Sequence, residues 1–280
     1  MIQEYNLKNF NKNGVAWPYK LAKNYDAQEL KEKFFKFKDT SLKVFSNELS
    51  LKPHLLSNFF YKLAIDKNIL KCVKEIIGEN VYIWSSAFFS KAPGEGKVVS
   101  FHQDNPYWQL TTQKVITAWI ALTSSDLNSG ALQVVPKSHK LGLIKKLDVE
   151  NPRKSYLEGI KTTATNDLLS FNQNLGDFIK KNAPLTLYLS PGEFSIHHVN
   201  TVHGSGINKS SDYRIGFAVR YISSETQHLE EQKDFATHIM GKKNKYYVDE
   251  IPPTEDFDEK ALNQYQISMN STGVFGNKKY

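Results

Sequence analysis

The ten residues RIGFAVRYIS, starting at Arg214, limit the possible folds more than any other stretch. Read as a strand, they put Ile215, Phe217 and Val219 on one side. Gly216 and Ala218 fall on the other side, with Arg214 at its head. A sheet built on such a strand packs against apolar partners on one face and keeps room on the other. Arg220 shares the roomy face, where it serves either that interior or a structural ion pair.

The rest of the chain supplies more strands of the same kind. VYIWSSAFFSK (81–91) is rich in β-branched and aromatic residues and runs into the turn chemistry of APGEG. KVVSFH continues extended, KVITAWIALT (114–123) is another strand, and ALQVVP a short one before the basic loop KSHKLG. Strand texture returns in PLTLYL, FSIHHV and TVHGSG. Upstream, DAQELKEKFFKFKDTSLK reads as an amphipathic helix capped by Asp26, with Leu30, Phe34 and Phe35 on one face. Two more helices are predicted over 53–66 and 68–77, the second stopped by Gly78. The expectation is one mainly β domain over 1–280, a sandwich or barrel with helices outside. It divides into a helical layer at about 1–80, a β core at about 81–223 and a C-terminal extension from 224 with a late helix. Residues 145–181 are polar and irregular apart from a helix near 174–181, and read as an insertion over one face, a place for a lid.

Composition removes several classes. No apolar run approaches the ~18 residues of a membrane span. The first residues carry no apolar leader segment, and the single Cys72 gives no disulfide framework, so a cytoplasmic protein is expected. The net charge of +7 raises the question of nucleic acid, but only Arg153, Arg214 and Arg220 are arginines. Lysines are scattered, and the side chain suited to bidentate phosphate and base contacts is nearly missing. No nucleic-acid partner is expected. The basic surface favours small anionic metabolites, and the oligomeric state is not encoded legibly.

Chemistry concentrates in FHQDNPYW. His102 and Asp104, two apart, point the same way on an extended segment and make two-thirds of a 2-His-1-carboxylate triad for non-heme iron. Alone, the pair better suits a polar surface turn. His203, in TVHGSG about a hundred residues on, is the candidate third ligand, at a separation that suits a jelly roll. Gly204 and Gly206 beside it permit a tight backbone approach. Arg214, eleven residues beyond His203 across INKSSDY, returns to the same cavity, where its guanidinium can grip a carboxylate.

FHQDNPYW, TAWIAL with SGALQVVPKSH, and PGEFSIHHVNTVHGSGINKSSDYRIGFAVRYI together resemble the phytanoyl-CoA dioxygenase-like family. The resemblance runs from about residue 82 to 222. It implies a double-stranded β-helix (a cupin-like jelly roll) using Fe(II), with 2-oxoglutarate and O2 as cosubstrates. It also implies iron ligation by His102, Asp104 and His203, and binding of the distal 2-oxoglutarate carboxylate by Arg214 with Ser205. Gln103 and Trp119 match positions that line the cosubstrate. Halogenating relatives replace the carboxylate ligand with Ala or Gly, so Asp104 implies hydroxylation of a small-molecule substrate. Organophosphonates, amino acids and natural-product intermediates all fit. Asn105, Tyr107, Trp108 and His198 are the candidates for the substrate side. Two other classes compete: a zinc hydrolase on the same His2Asp set, which leaves Arg214 unexplained, and a non-catalytic jelly-roll binding protein.

Overall fold

The computed structural model describes residues 7–144, 166–169, 173–229 and 233–271. The chain opens with helix α1 (Leu7–Asn13), strand β1 (Val15–Lys20) and the long helix α2 (Ala27–Phe45). Asp26 caps α2 by accepting hydrogen bonds from the amides of Gln28 and Glu29. A 3-10 turn (Pro53–Leu55), α3 (Asn58–Ala64) and α4 (Lys67–Ile77) follow. Then come β2 (Val81–Lys91), β3 (Val99–His102), α5 (Asn105–Trp108), β4 (Val115–Ala121) and β5 (Gln133–Val134). After α6 (Gly176–Lys181) the chain forms β6 (Leu185–Thr186), β7 (Glu193–His198), β8 (His203–Ser205) and β9 (Arg214–Ser223). It ends in β10 (Asp234–Met240), β11 (Tyr247–Asp249) and α7 (Glu259–Ser271).

The strands make two sheets. The major one has seven strands in the order β1-β7-β4-β9-β2-β10-β11, and the minor one four, in the order β3-β8-β5-β6. All pairings are antiparallel except β10 with β11. This is a mainly β, jelly-roll architecture with helices on its outer face. The alternation in β9 decides which face is which. Ile215, Phe217, Val219 and Tyr221 join a core with Leu30, Phe34, Phe37, Phe60 and Phe88 on the helical side. The rings of Phe60, Phe88 and Phe217 lie within 5.4 Å of one another, and burying each such side chain contributes about 1.5–3 kcal/mol.

The opposite face of the major sheet packs against the minor one. Trp119, Ala121 and Ala218 meet Val134 of β5 with Leu132, Leu187 and Leu189. Gly216 has to be glycine here, because an added Cβ would stand 2.0 Å from the Trp119 ring. The room that Gly216 leaves on this face is taken by the Trp119 indole, and Ala218 packs in the same cluster.

Both flanks differ from their expected division. The first eighty residues are not only a helical layer: VAWPYK forms edge strand β1 on β7, with a register shift around Pro18. The C-terminal extension likewise adds β10 and β11 to the major sheet, β10 pairing directly with β2. Most of the expected insertion, and any lid within it, lies outside the described residues; its expected helix is present as α6. Among the described residues no helix is long and apolar enough to cross a membrane.

Candidate functional site

Pairing of β3 with β8 sets His102 directly opposite His203. One extra residue in β3 between Val99 and His102 makes a bulge, a common device for re-aiming a side chain. Gly204 lets the two strands approach, since a Cβ there would meet the Val99 carbonyl at 2.8 Å. The two imidazole rings are 4.2 Å apart. Asp104 reaches them by a route that strand alternation does not describe. Its backbone is helical (φ −72, ψ −37) at the start of α5, so a strand-to-helix turn swings the carboxylate back. Its Oδ1 lies 3.4 Å from His102 Nε2 and 3.9 Å from His203 Nε2.

The hydrogen bonds prepare these groups as ligands. His102 Nδ1 is 2.8 Å from the Ser100 carbonyl and His203 Nδ1 is 2.9 Å from the Thr201 carbonyl. Donating Nδ1–H to a carbonyl leaves each Nε2 with its lone pair toward Asp104. Burial, then the neighbouring His102, pushes His203 down to about 4, which keeps it neutral. Burial disfavours charge on Asp104, but His203, His102 and Arg220 outweigh it and hold the carboxyl well below its usual range. Two imidazoles and one carboxylate, all buried, thus present donor atoms within 4.8 Å of one another. An ion roughly 2 Å from each donor spans the 3.4 and 3.9 Å separations, and the donor set suits Fe(II).

A cationic corner adjoins the triad. Arg214 is 1% exposed; its Nη1 donates to the Phe89 carbonyl at 3.1 Å and its Nη2 to Ser205 Oγ at 3.3 Å, while Nε has no partner. Directly across the strand pair stands Lys91, also buried, whose Nζ donates to Ser205 Oγ at 2.7 Å. Sequence reading missed Lys91, which looks like the last residue before a surface turn. Its parity with Arg214 across β2 and β9 was the missing signal. Neither side chain has a carboxylate in ion-pair contact among the described residues, and Asp167 acts on Lys91 only at longer range. Burial lowers Arg214 to about 10; burial, then Arg214, lowers Lys91 to about 6. Trp119 walls this corner, its ring 5.6 Å from the Arg214 guanidinium carbon.

The other expected residues divide. Asn105, Tyr107 and Trp108 form α5 beside Asp104, and the Tyr107 ring sits edge-on to His102 at 5.8 Å. Gln103 faces away from the triad. Its amide nitrogen donates to the Gly142 and Asn200 carbonyls, and its Oε1 accepts from the Ile144 amide. The carboxamide is thus committed to tethering loops. His198 also faces outward, toward Phe10 and His139, at ring distances of 6.3 and 5.4 Å. The inward histidine of β7 is its neighbour His197, 4.6 Å from the His203 ring. In a strand, one residue of parity separates the two faces.

A family model described as Phytanoyl-CoA dioxygenase (PhyH) matches residues 22–216. An ectoine dioxygenase of Halomonas elongata is 28% identical over 165 residues, covering 58% of this chain and 48% of its own. The chain spans about half the length of the curated relatives it matches. Among solved structures, one described as the non-heme monooxygenase ThoJ in apo form superposes with a TM-score of 0.76 at 21% identity, covering 95% of each chain. Another, described as CytC3 with Fe(II) and alpha-ketoglutarate, gives 0.54 at 21% identity, covering 81% of this chain and 79% of that one.

Proposed function

The chain belongs to the phytanoyl-CoA dioxygenase family, and from that premise we propose that it is an Fe(II)- and 2-oxoglutarate-dependent dioxygenase hydroxylating a small polar or anionic metabolite. The observation that carries this reading is the closure of His102, Asp104 and His203 into one donor set beside the buried Arg214 corner. A hydrolytic zinc site has no use for that corner. The iron and its keto acid, when bound, supply the oxidising power: O2 is consumed, 2-oxoglutarate becomes succinate and CO2, and a substrate C–H bond is hydroxylated.

Everything else falls to the protein's own side chains. His102, Asp104 and His203 would hold the metal, the two imidazoles oriented by the Ser100 and Thr201 carbonyls. Arg214, Lys91 and Ser205 receive the distal carboxylate, two cations sharing one hydroxyl. Trp119 and Gly216 shape the wall along which the keto acid lies. Tyr107, edge-on to His102, and Trp108, beside Arg220, are the candidates for the substrate side. The carboxylate at position 104 supports hydroxylation over halogenation.

Anaerobic Fe(II) plus 2-oxoglutarate should give a weak visible metal-to-ligand charge-transfer band, absent in His102→Ala and in Asp104→Ala. Iron-loaded wild-type protein without the band sinks the cosubstrate assignment. Arg214→Ala should weaken 2-oxoglutarate binding by about a hundredfold or more, since a buried carboxylate loses a charge-assisted partner. Unchanged affinity would place the anchor elsewhere.

A further inference from the structure

Cross-strand register places three polar residues in one row on the inner face of the major sheet. Thr117 of β4 stands opposite His197 of β7 on one side and Arg220 of β9 on the other. His197 Nδ1 and Nε2, Thr117 Oγ1 and Arg220 Nε are all buried without a hydrogen-bond partner. Among the described residues Arg220 makes no ion pair at all, which removes the structural role its sequence position allowed. Asp104 acts on it through space only, and that carboxylate is turned toward both metal-side histidines. Arg220 as a whole is half-buried, but leaving its buried Nε, the buried Thr117 hydroxyl and the buried His197 ring without partners is costly. Folded chains keep such groups where a ligand completes them.

The position of the row says what kind of ligand. His197 touches the metal side, its ring 4.6 Å from His203. The Arg220 guanidinium carbon is 5.7 Å from the ring centroids of both Phe89 and Trp108. The donors are one fixed cation, one hydroxyl and one imidazole, which match an oxyanion. The Trp119–Ala218 pair stands between this row and the Arg214 corner.

We propose that His197, Thr117 and Arg220 form a second oxyanion site, distinct from the Arg214 corner, that receives a carboxylate or phosphonate group beside the metal. This deepens the dioxygenase reading and rests on it for the role of the metal, though not for the anion site itself. The group comes either from the substrate, making it an acid of small size, or from the metal-side carboxylate of 2-oxoglutarate.

Calorimetry separates the two sources. Fe(II)-loaded protein under anaerobic conditions is titrated first with 2-oxoglutarate, and the saturated complex then with methylphosphonate and with acetate. Arg220→Gln removes the charge, Arg220→Lys restores it, and Thr117→Val removes only the hydroxyl. For a substrate site, wild-type protein binds one of the two small anions on top of 2-oxoglutarate. Arg220→Gln then weakens that anion by about tenfold or more, Arg220→Lys recovers part of it, and 2-oxoglutarate affinity stays within about twofold. For the cosubstrate source, Arg220→Gln weakens 2-oxoglutarate itself by about tenfold, again with partial recovery in the Lys variant. The proposal is overturned if neither anion binds and 2-oxoglutarate affinity is unchanged in a folded Arg220→Gln protein. Should Arg220→Gln fail to fold, unaltered binding of all three probes by Arg220→Lys and Thr117→Val overturns it equally. Failure of the dioxygenase reading shows separately, as a missing charge-transfer band in wild-type protein that still binds the small anions.

Discussion

His54 and His197 are sealed from solvent to the same degree, and burial pushes both imidazoles below their ordinary range. Their surroundings are opposite. His54, on the helical face of the major sheet, has Ser86 Oγ 2.6 Å from Nδ1 and Thr237 Oγ1 3.3 Å from Nε2. Glu250 beside it accepts from Thr237 at 3.0 Å and pairs with the buried Lys52, which also meets Ser268 Oγ at 3.0 Å. Every member of that cluster has a partner, and together they fasten β2, β10 and α7. His197, on the inner face of the same sheet, has none for either nitrogen. The same sheet thus carries one polar cluster closed upon itself and another left open beside His102, Asp104 and His203. The first serves stability, and the second is the row we propose for binding.

Breaking the closed cluster should cost the most. Glu250→Ala leaves the Lys52 ammonium buried with no counter-ion, and chemical denaturation should show a loss of about 3–5 kcal/mol. A loss under about 1 kcal/mol would mean the cluster is not closed in solution. Ser86→Ala strips one partner from His54 and should cost about 1–2 kcal/mol. Thr117→Val is the matching test on the inner face. It swaps a hydroxyl without a partner for a methyl of the same shape, so stability should stay level or rise by up to about 1 kcal/mol. If Thr117→Val destabilises as much as Ser86→Ala, the inner row is satisfied and the contrast between the faces collapses.

The sequence carried a good part of this design and concealed the rest for physical reasons. Strands β2, β4 and β9 announce themselves through long β-branched and aromatic runs. His102, Asp104, His203 and Arg214 stand out because few side chains can perform their chemistry. Edge strand β1 hides behind Pro18, and β10 sits in polar sequence because it packs near the end of its sheet. His197 and His198 cannot be told apart without strand parity, which needs the exact start of β7. The outward turn of Gln103 follows from loops distant in sequence. Lys91 carries the same lesson. A cation looks like surface until its burial and the lack of a counter-ion are both visible.

Lys91 allows the finest test, because its proton reports on the open face directly. In the folded chain it loses its proton near 6, whereas an unfolded lysine keeps it to about 10.4. Between those values the unfolded chain binds the extra proton, so this residue makes stability rise with pH from about 6 upward. A dianionic 2-oxoglutarate in the Arg214 corner reverses the penalty and favours the ammonium. Binding near pH 7.5 should therefore take up close to one proton per site, and affinity should fall as pH rises. Calorimetry of 2-oxoglutarate binding in buffers of different ionisation enthalpy measures the uptake, and Lys91→Met should reduce it to near zero. No uptake in the wild-type protein would mean that Lys91 already carries its charge without a ligand, and that the corner is closed like the cluster around His54.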